Sequence, residues 1–362
     1  MICTYKYRLY PSKKQAQTID ETLNRHRWLY NEALAQRKDG WEQEKKSVSY
    51  VTQAKWLTQH RKENETYQNL NVSSCQRTLR RLDKAFCAFF RRVKTGETPG
   101  YPRFKGYNRF DSAEFTYGDG VRFRENRLYV QYIGEIKVKL HRPVEGKIKT
   151  TVIKRQAGRY YVCFSIEVER PAMPTTGAMV GLDMGISKLV TTSDGVFYKP
   201  PKYLRRAEAK LRRLQRKVAR RQKGSNRRRK TVLHLQRAHE HIRNQRLDTA
   251  HKVARKLVVG YDLIAVEDLN IQGMIKNHHL AKSIADAAWN TFITILMSKA
   301  EEAGRQVVKV DPKYTSQICS KCGKIVKKDL RVRVHKCPHC GLALDRDINA
   351  AKNILARALN VA

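Results

Sequence analysis

Cys319-Ser-Lys-Cys322 and Cys337-Pro-His-Cys340, followed by Asp345-Arg-Asp-Ile-Asn-Ala-Ala351, are the stretch that decides the fold. Each Cys-x-x-Cys unit sets two thiolates on one tight turn. Two such turns, separated by the 14 residues 323–336, can close a tetrahedral four-cysteine site with Zn–S distances of about 2.3 Å. The gap is one residue short of the usual ribbon spacing. With four thiolates at hand, neither His335 nor His339 is needed as a ligand. The closed site is structural: it organises a loop and hydrolyses nothing. A redox dithiol is the rival reading, but two matched knuckles rarely serve redox chemistry. Upstream stands a glutamate-bearing strand, Leu263 to Glu267, and downstream an aspartate-led helix. The order carboxylate, knuckles, carboxylate points to a nuclease fold with a zinc ribbon inserted in it.

The carboxylates follow from strand periodicity. In Val180-Gly-Leu-Asp183-Met-Gly185, alternation puts Gly181 and Asp183 on one face, with Val180 and Leu182 on the other. In Leu263-Ile-Ala-Val-Glu267-Asp268, Leu263, Ala265 and Glu267 share a face, and Asp268 points away as a cap or turn residue. If the strands are neighbours, the small Gly181 and Ala265 leave room beside two carboxylates at the strands' C-terminal ends, where open α/β sheets bind ligands. A third acid is Asp345 or Asp347. On a helix these face nearly opposite sides. Asp347 lies along the row Ala351, Ile354, Ala358 that borders the buried stripe, whereas Asp345 makes a good N-cap; Asp347 is therefore expected in the site. The bland alternative is an acid that merely favours the helix N-terminus. Three converging carboxylates need divalent cations, and two Mg2+ ions about 3.5–4 Å apart would neutralise them and drive phosphodiester hydrolysis.

Further out, residues 2–10 alternate as a strand stopped by Pro11, and from Ser12 to about Val93 the period is helical. Leu79, Leu82, Phe86 and Phe89–Phe90 form an apolar stripe there, the three phenylalanines read as core. Between Thr95 and Pro174 strands and turns return, with strands expected at 127–132, 136–140 and 159–166. The reading is a small β-domain with a helical domain inserted after its first strand. Pro171 to Gly177 looks like a linker. Beyond it come strands near 178–183, 187–193, 262–267 and 306–310, and helices near 202–222, 227–257, 280–303 and 346–359.

Formal charge is 74 − 33 = +41 over 362 residues, spread along the chain. Solubility needs far less, so a polyanion is the expected partner. The helical pair 202–257 holds 21 Lys+Arg against Glu208, Glu240 and Asp248, with its turn at Gly224-Ser-Asn226. A solvated face seldom needs such imbalance, and phosphate contact is the stronger reading. Cys3, Cys75, Cys87 and Cys163 stand alone and read as buried free thiols in a reducing compartment. The opening residues lack the apolar run of a signal peptide and no stretch approaches a membrane span, so a cytoplasmic protein, associated with the nucleoid when bound to DNA, is expected.

The motifs together resemble the TnpB family of insertion-sequence-encoded, RNA-guided DNA nucleases, relatives of the type V CRISPR effectors. The likeness is carried by Gly181-Leu-Asp-Met-Gly-Ile-Ser-Lys-Leu189, Ser193-Asp-Gly195, Val266-Glu-Asp-Leu269, Tyr314-Thr-Ser-Gln317 with Cys319-Ser-Lys-Cys-Gly323, and Asp345-Arg-Asp-Ile-Asn-Ala-Ala-Lys-Asn-Ile354. It spans about 177–360. The N-terminal half matches more loosely, through the opening strand, Gln76-Arg-Thr-Leu-Arg-Arg-Leu-Asp-Lys-Ala-Phe86 and Pro99-Gly-Tyr-Pro-Arg-Phe-Lys105. The resemblance implies a multidomain α+β protein: a RuvC-type (RNase H-like) α/β nuclease domain with an inserted zinc ribbon, a wedge-type β-barrel domain and a helical recognition domain. The corresponding segments are 1–11 and 96–175 for the wedge, 12–95 for recognition, 176–318 and 341–362 for the nuclease, and 319–340 for the ribbon, which would bind target nucleic acid.

It also implies catalytic, Mg-binding carboxylates at Asp183, Glu267 and Asp347, in-line attack by water leaving a 5′-phosphate and a 3′-hydroxyl, and zinc on Cys319, Cys322, Cys337 and Cys340. A guide RNA from the element's end and a target DNA beside a short protein-read motif would be the partners, with one protein chain per RNA. With the sequence ending soon after its last helix, no extra RNA-binding segment is expected there. Candidate nucleic-acid contacts are Gln76, Arg77, Arg80, Arg81 and Lys84; Arg103 and Lys105, where Tyr101-Pro-Arg-Phe-Lys mixes stacking surfaces with cations; and Arg212, Arg213, Arg216, Arg220, Arg227 and Arg228. Rival readings are a compact type V effector with an array-encoded guide, a non-cleaving RNA-guided regulator, which three intact carboxylates oppose, and a strand-joining transposase, for which no tyrosine nucleophile with a paired-His motif is apparent.

Overall fold

The computed structural model describes residues 1–107, 109–329 and 332–360, and its chain divides into two compact units, Met1–Glu169 and Arg170–Ala362. In the first unit, β1 (Ile2–Tyr10) alternates as the sequence demands, with Tyr5, Tyr7 and Leu9 buried. Pro11 stops it, and Ser12 opens helix α1 (Lys13–Glu44) through a capping box in which Ser12 and Gln15 exchange side-chain to backbone bonds. Then come α2 (Tyr50–Glu63), α3 (Glu65–Gln68) and α4 (Val72–Lys94). Their shared core holds Leu29, Leu34, Leu57, Leu79, Leu82 and Phe86.

Six more strands complete the unit: β2 (Ser112–Thr116), β3 (Val121–Arg124), β4 (Arg127–Val130), β5 (Gly134–Lys139), β6 (Lys147–Gln156) and β7 (Arg159–Glu167). The antiparallel sheet is ordered β2-β6-β7-β1-β5-β4-β3. The first strand of the chain therefore sits in the middle of a sheet whose other members follow the helices. Strands β2, β3 and β6 had no counterpart among the expected elements. One core expectation is corrected here: Phe90 is 59% exposed, while Phe89 is half-buried and Phe86 buried. Cys87 is likewise exposed rather than a buried thiol.

The second unit is built on a five-stranded mixed sheet. Its strands are β8 (Met179–Asp183), β9 (Val190–Thr192) and β10 (Phe197–Tyr198), then, after α5 (Tyr203–Ala219) and α6 (Asn226–Gly260), β11 (Leu263–Glu267). Helices α7 (Ile271–Ile275), α8 (His278–Ala287) and α9 (Trp289–Ala303) lead to β12 (Gln306–Val310). A two-stranded ribbon, β13 (Val334–Lys336) and β14 (Ala343–Asp345), precedes the last helix, α10 (Arg346–Leu359). The sheet order is β10-β9-β8-β11-β12, with β8, β11 and β12 parallel, β9 antiparallel to β8, and β10 antiparallel to β9.

Two apolar layers flank this sheet. Val180, Leu182, Ile264 and Val266 pack against Val253 and Leu257 of α6 and Phe292 and Leu296 of α9. On the opposite face, Leu263 and Ala265 pack against Ile354 and Ala358 of α10. The helix expected over 280–303 is broken at Ala288, which takes a left-handed φ of 53° and starts α9 as a new helix. The expected helix pair at 202–257 is present as α5 and α6, with Ser225 capping the second. No helix among the described residues is long and apolar enough to cross a membrane.

Candidate carboxylate site and four-cysteine centre

β8 and β11 are hydrogen-bonded neighbours in the register Ala265 opposite Gly181 and Val266 opposite Leu182. One residue further on stand Asp183 and Glu267, on the α10 face of the sheet. Gly181 has a specific reason to be glycine: a Cβ there would lie 2.0 Å from the Ala351 carbonyl oxygen and 2.8 Å from the Leu355 amide nitrogen. The space beside the two carboxylates is thus filled by the backbone of α10. That close approach sets the N-terminus of α10, and with it Asp347, beside the strand ends.

Asp345 caps α10, its Oδ1 accepting from the amides of Asp347 (2.9 Å) and Ile348 (3.3 Å). Asp347 and Glu267 are buried and Asp183 is half-buried. Burial pushes Asp183 up to about 8, with the negative charges of Glu267 and then Asp347 adding to the shift, against Arg346 and Lys188. Glu267 is also raised by burial, and this is moderated by a 2.6 Å hydrogen bond from Thr315 Oγ1 and by the charge of Arg357. Asp347 is flanked by cations: Lys188 Nζ lies 3.3 Å from its Oδ2 and an Arg346 nitrogen 3.4 Å from its Oδ1. Asp268 is exposed and paired with Lys309 at 3.1 Å, outside the site.

The four thiols form the tighter set. Cys319 and Cys340 Sγ atoms are 3.6 Å apart, as are those of Cys322 and Cys337, and all four lie within 4.8 Å of one another. A disulfide needs about 2.05 Å, whereas tetrahedral ligands of one Zn2+ stand roughly 3.8 Å apart, given Zn–S bonds of about 2.3 Å. Both knuckles are built alike. Cys319 N bonds Lys324 O and Gly323 N bonds Cys319 O; Cys337 N bonds Leu342 O and Gly341 N bonds Cys337 O. Gly323 and Gly341 sit at φ of 72° and 71°, which closes each turn without strain. His335 is buried against Lys328 and His339 is not part of the sulfur set. Among the described residues, the three carboxylates do not gather within the same 4.8 Å limit.

Two asparagines on α10 join these centres. Asn349 Nδ2 donates to Ile318 O at 2.7 Å and its Oδ1 accepts from Ser320 N at 2.9 Å. Asn353 Nδ2 donates to the carbonyls of Thr315 and Ile318, each at 2.7 Å. Both are buried. The chain entering the first knuckle is therefore clasped to the helix bearing Asp347, and through Thr315 to Glu267. Sequence reasoning gave no role to Lys188, Thr315, Asn349 or Asn353, although all four lie within the quoted motifs; polar residues close in sequence to the candidate ligands were the available signal.

The expected nucleic-acid residues divide. Arg77 pairs with Glu114 (3.3 Å), Arg80 donates to Tyr50 Oη (3.1 Å), Arg81 donates to Ser112 O (3.2 Å) and packs on Phe110, and Arg212 pairs with Glu208 (2.7 Å). Gln76, Lys84, Arg103, Arg213, Arg216, Arg220 and Arg227 are exposed; Lys105 and Arg228 are half-buried, the former with its backbone held by Asn31.

Fold and site define a mixed α/β protein with four cysteines placed to hold a metal ion and, at neighbouring strand ends beside the last helix, three carboxylates of which two are buried. A family profile described as "Probable transposase" (OrfB_IS605) matches residues 162–278, one described as "Cas12f1-like, TNB domain" matches 289–354, and one described as "Helix-turn-helix domain" matches 1–46. In this chain the last region is β1 followed by the single helix α1, with the next helix opening only at Tyr50. A Streptomyces pristinaespiralis protein assigned as an RNA-guided DNA endonuclease is 37% identical, over 98% of this chain and 89% of that protein. InsQ of Escherichia coli, assigned likewise, is 32% identical over 97% of this chain and 91% of its own. The solved mini-RNA-guided endonuclease CRISPR-Cas_phi3 shares the fold at a TM-score of 0.53 and 10% identity, covering 99% of this chain and 92% of the other. The chain belongs to the TnpB family.

Proposed function

We propose that this protein is an RNA-guided DNA endonuclease encoded by a transposable element. Near-full-length similarity to relatives assigned that activity supports the reading. The observation that carries the chemistry is the register of β8 and β11, which sets Asp183 and Glu267 at neighbouring strand ends beside the Asp345-capped start of α10 that bears Asp347. Hard oxygen donors crowded in this way suit Mg2+ rather than a softer ion. Two bound Mg2+ ions would supply an activated water and stabilise the leaving 3′-oxygen of an in-line displacement that leaves a 5′-phosphate. Asp183, Glu267 and Asp347 would hold them, Thr315 orients Glu267 by its hydrogen bond, and Asp345 fixes the helix end from which Asp347 projects.

On this reading the five-stranded sheet with its flanking helices is the RuvC-type (RNase H-like) nuclease domain, in two segments, 176–318 and 341–362, around the zinc ribbon at 319–340. The seven-stranded sheet is the wedge-type domain (1–11 and 96–175), and residues 12–95 form the recognition domain. Zinc in the four-cysteine centre is structural. A guide RNA from the element's end pairs with target DNA, while protein reads a short flanking motif, the division of labour of RNA-guided effectors. Exposed cations on α5 and at the start of α6, with Lys84 and Arg103, contact phosphate. The protein works in the cytoplasm, on the nucleoid, one chain per RNA.

The test is to purify the protein from its native genomic context and sequence the RNA that travels with it. A discrete species ending in variable sequence is expected, and Mg2+-dependent cutting of a matching duplex should be abolished by Asp183→Ala while RNA and target binding persist. Full cutting by that variant refutes the carboxylate assignment.

A further inference from the structure

Lys188 lies in the turn that follows β8. Gly185 makes the turn, since a Cβ at that position would stand 2.9 Å from the Lys188 carbonyl oxygen. The turn brings the ammonium group back beside α10, where it lies 2.8 Å from Asp345 Oδ2 and 3.3 Å from Asp347 Oδ2. It also lies over the Phe197 ring, with Nζ 3.9 Å from the centroid, and its charge reaches Asp183 as well. The remaining oxygen of Asp345 is occupied by the amides of Asp347 and Ile348. One cation is therefore shared by the carboxylate that caps the helix and the carboxylate that the helix presents to the site.

Exposed ion pairs of this kind contribute little. Here the lysine is only 27% exposed and the Asp347 side chain 11%, so its charge acts at short range in a poorly solvated pocket. We propose that Lys188 is a positioning residue that acts through Asp347, holding that carboxylate to the capped end of α10 and setting, by its charge, how strongly the site attracts divalent cations. The inference rests on the carboxylate site being the cleavage site. Two effects follow, of opposite sign. A positive charge beside a metal-binding carboxylate opposes cation binding, so its removal tightens it. Loss of the bridge lets the Asp347 carboxylate leave its working orientation, so cutting slows. A lysine that merely supported the fold would weaken both together.

The experiment uses the full-length, zinc-loaded protein. Mn2+ is titrated by electron paramagnetic resonance without RNA, with Asp183→Ala marking the contribution of the carboxylate site. Cleavage is timed in the protein–guide complex at saturating Mg2+. For Lys188→Met the expected result is Mn2+ binding about threefold to tenfold tighter, with cleavage slower by about tenfold to a hundredfold, the range that small misplacement of a reacting group produces. Lys188→Gln, which keeps a hydrogen-bond donor between the two acids but no charge, should show the tighter Mn2+ binding with a smaller loss of cleavage. Lys188→Arg, which keeps donor and charge, should restore both values to within about threefold. Weaker Mn2+ binding together with slower cleavage, or unchanged cleavage in both neutral variants, overturns the proposal. Full cutting by Asp183→Ala would instead remove the reading on which it rests.

Discussion

Asp183 shows what a carboxylate loses when two others are brought to it. Its folded-state value of about 8, raised by burial and then by Glu267 and Asp347, lies far above the ordinary range near ~3.9 of an unfolded chain. A raised acid binds its proton more tightly when folded, so its contribution to stability is present below the unfolded value and is lost as pH rises through the window from about 4 to about 8. Asp183→Asn mimics the protonated form. Without Mg2+, that variant is expected to melt above the wild type, by a margin that widens between pH 5 and pH 8; added Mg2+ should reverse the order at pH 8 by stabilising the wild type alone. Calorimetric melts at the two pH values check this, and a margin independent of pH would refute the crowding. Proton displacement also sets metal affinity. Mg2+ binding should weaken by about tenfold for each pH unit below 8, because one proton must leave for the ion to bind.

At the scale of elements, α10 ties the sheet to the ribbon. Its backbone approaches Gly181, its first turn bears Asp347, and Asn349 and Asn353 hold the chain at Thr315 to Ser320. Asn353→Leu keeps the branched shape but strands the Thr315 carbonyl and leaves Ile318 O to Asn349 alone, a loss of about 1–3 kcal/mol. The variant is expected to release zinc faster to a chelator and to cut more slowly; wild-type zinc release with normal cutting would show the clasp to be idle. Cys322→Ser should carry less than one zinc per chain, measured by atomic absorption. The position of α10 was legible, because Asp347, Ala351, Ile354 and Ala358 mark one helix face and the knuckles mark its entry. The side-chain clasp was not, since asparagine carries no periodic signal and its partners are backbone carbonyls whose placement only the folded chain reveals. Strands β8, β11 and β12 were readable as short apolar runs, whereas β2, β3 and β6 were missed: β3 spans only four residues, and β6, Lys147–Gln156, carries four cations on a sheet of mixed exposure. The break at Ala288 eluded sequence reading because a left-handed alanine leaves no mark in composition.

Over the whole molecule, the excess of positive charge constrains what can bind more tightly than any single contact does. A net charge of +41 on 362 residues repels a second copy and attracts phosphate, and the structure shows which cations remain available for that. Arg77, Arg80, Arg81 and Arg212 are engaged with Glu114, Tyr50, Ser112 and Glu208, so their removal would disturb packing as well as charge. Arg213 and Arg216 on α5 and Arg220 at its C-terminal cap are exposed and line one groove with Arg212 and Lys217. Their spacing places them along one side of the helix, as a ladder that follows a phosphate backbone would be. Each phosphate neutralised releases counterions and contributes about −0.7 to −0.9 to the slope of log K against log salt. The triple variant Arg213→Gln, Arg216→Gln, Arg220→Gln is therefore expected to lower that slope by about 2 to 3 in magnitude for guide-RNA or target binding. Its melting temperature should stay at the wild-type value, and so should its cleavage rate once complex formation is saturated, because none of the three approaches the carboxylate site. Filter-binding isotherms from roughly 50 to roughly 300 mM salt, a range over which such slopes are resolved, decide the matter: an unaltered slope would place the phosphate-binding surface elsewhere on the chain.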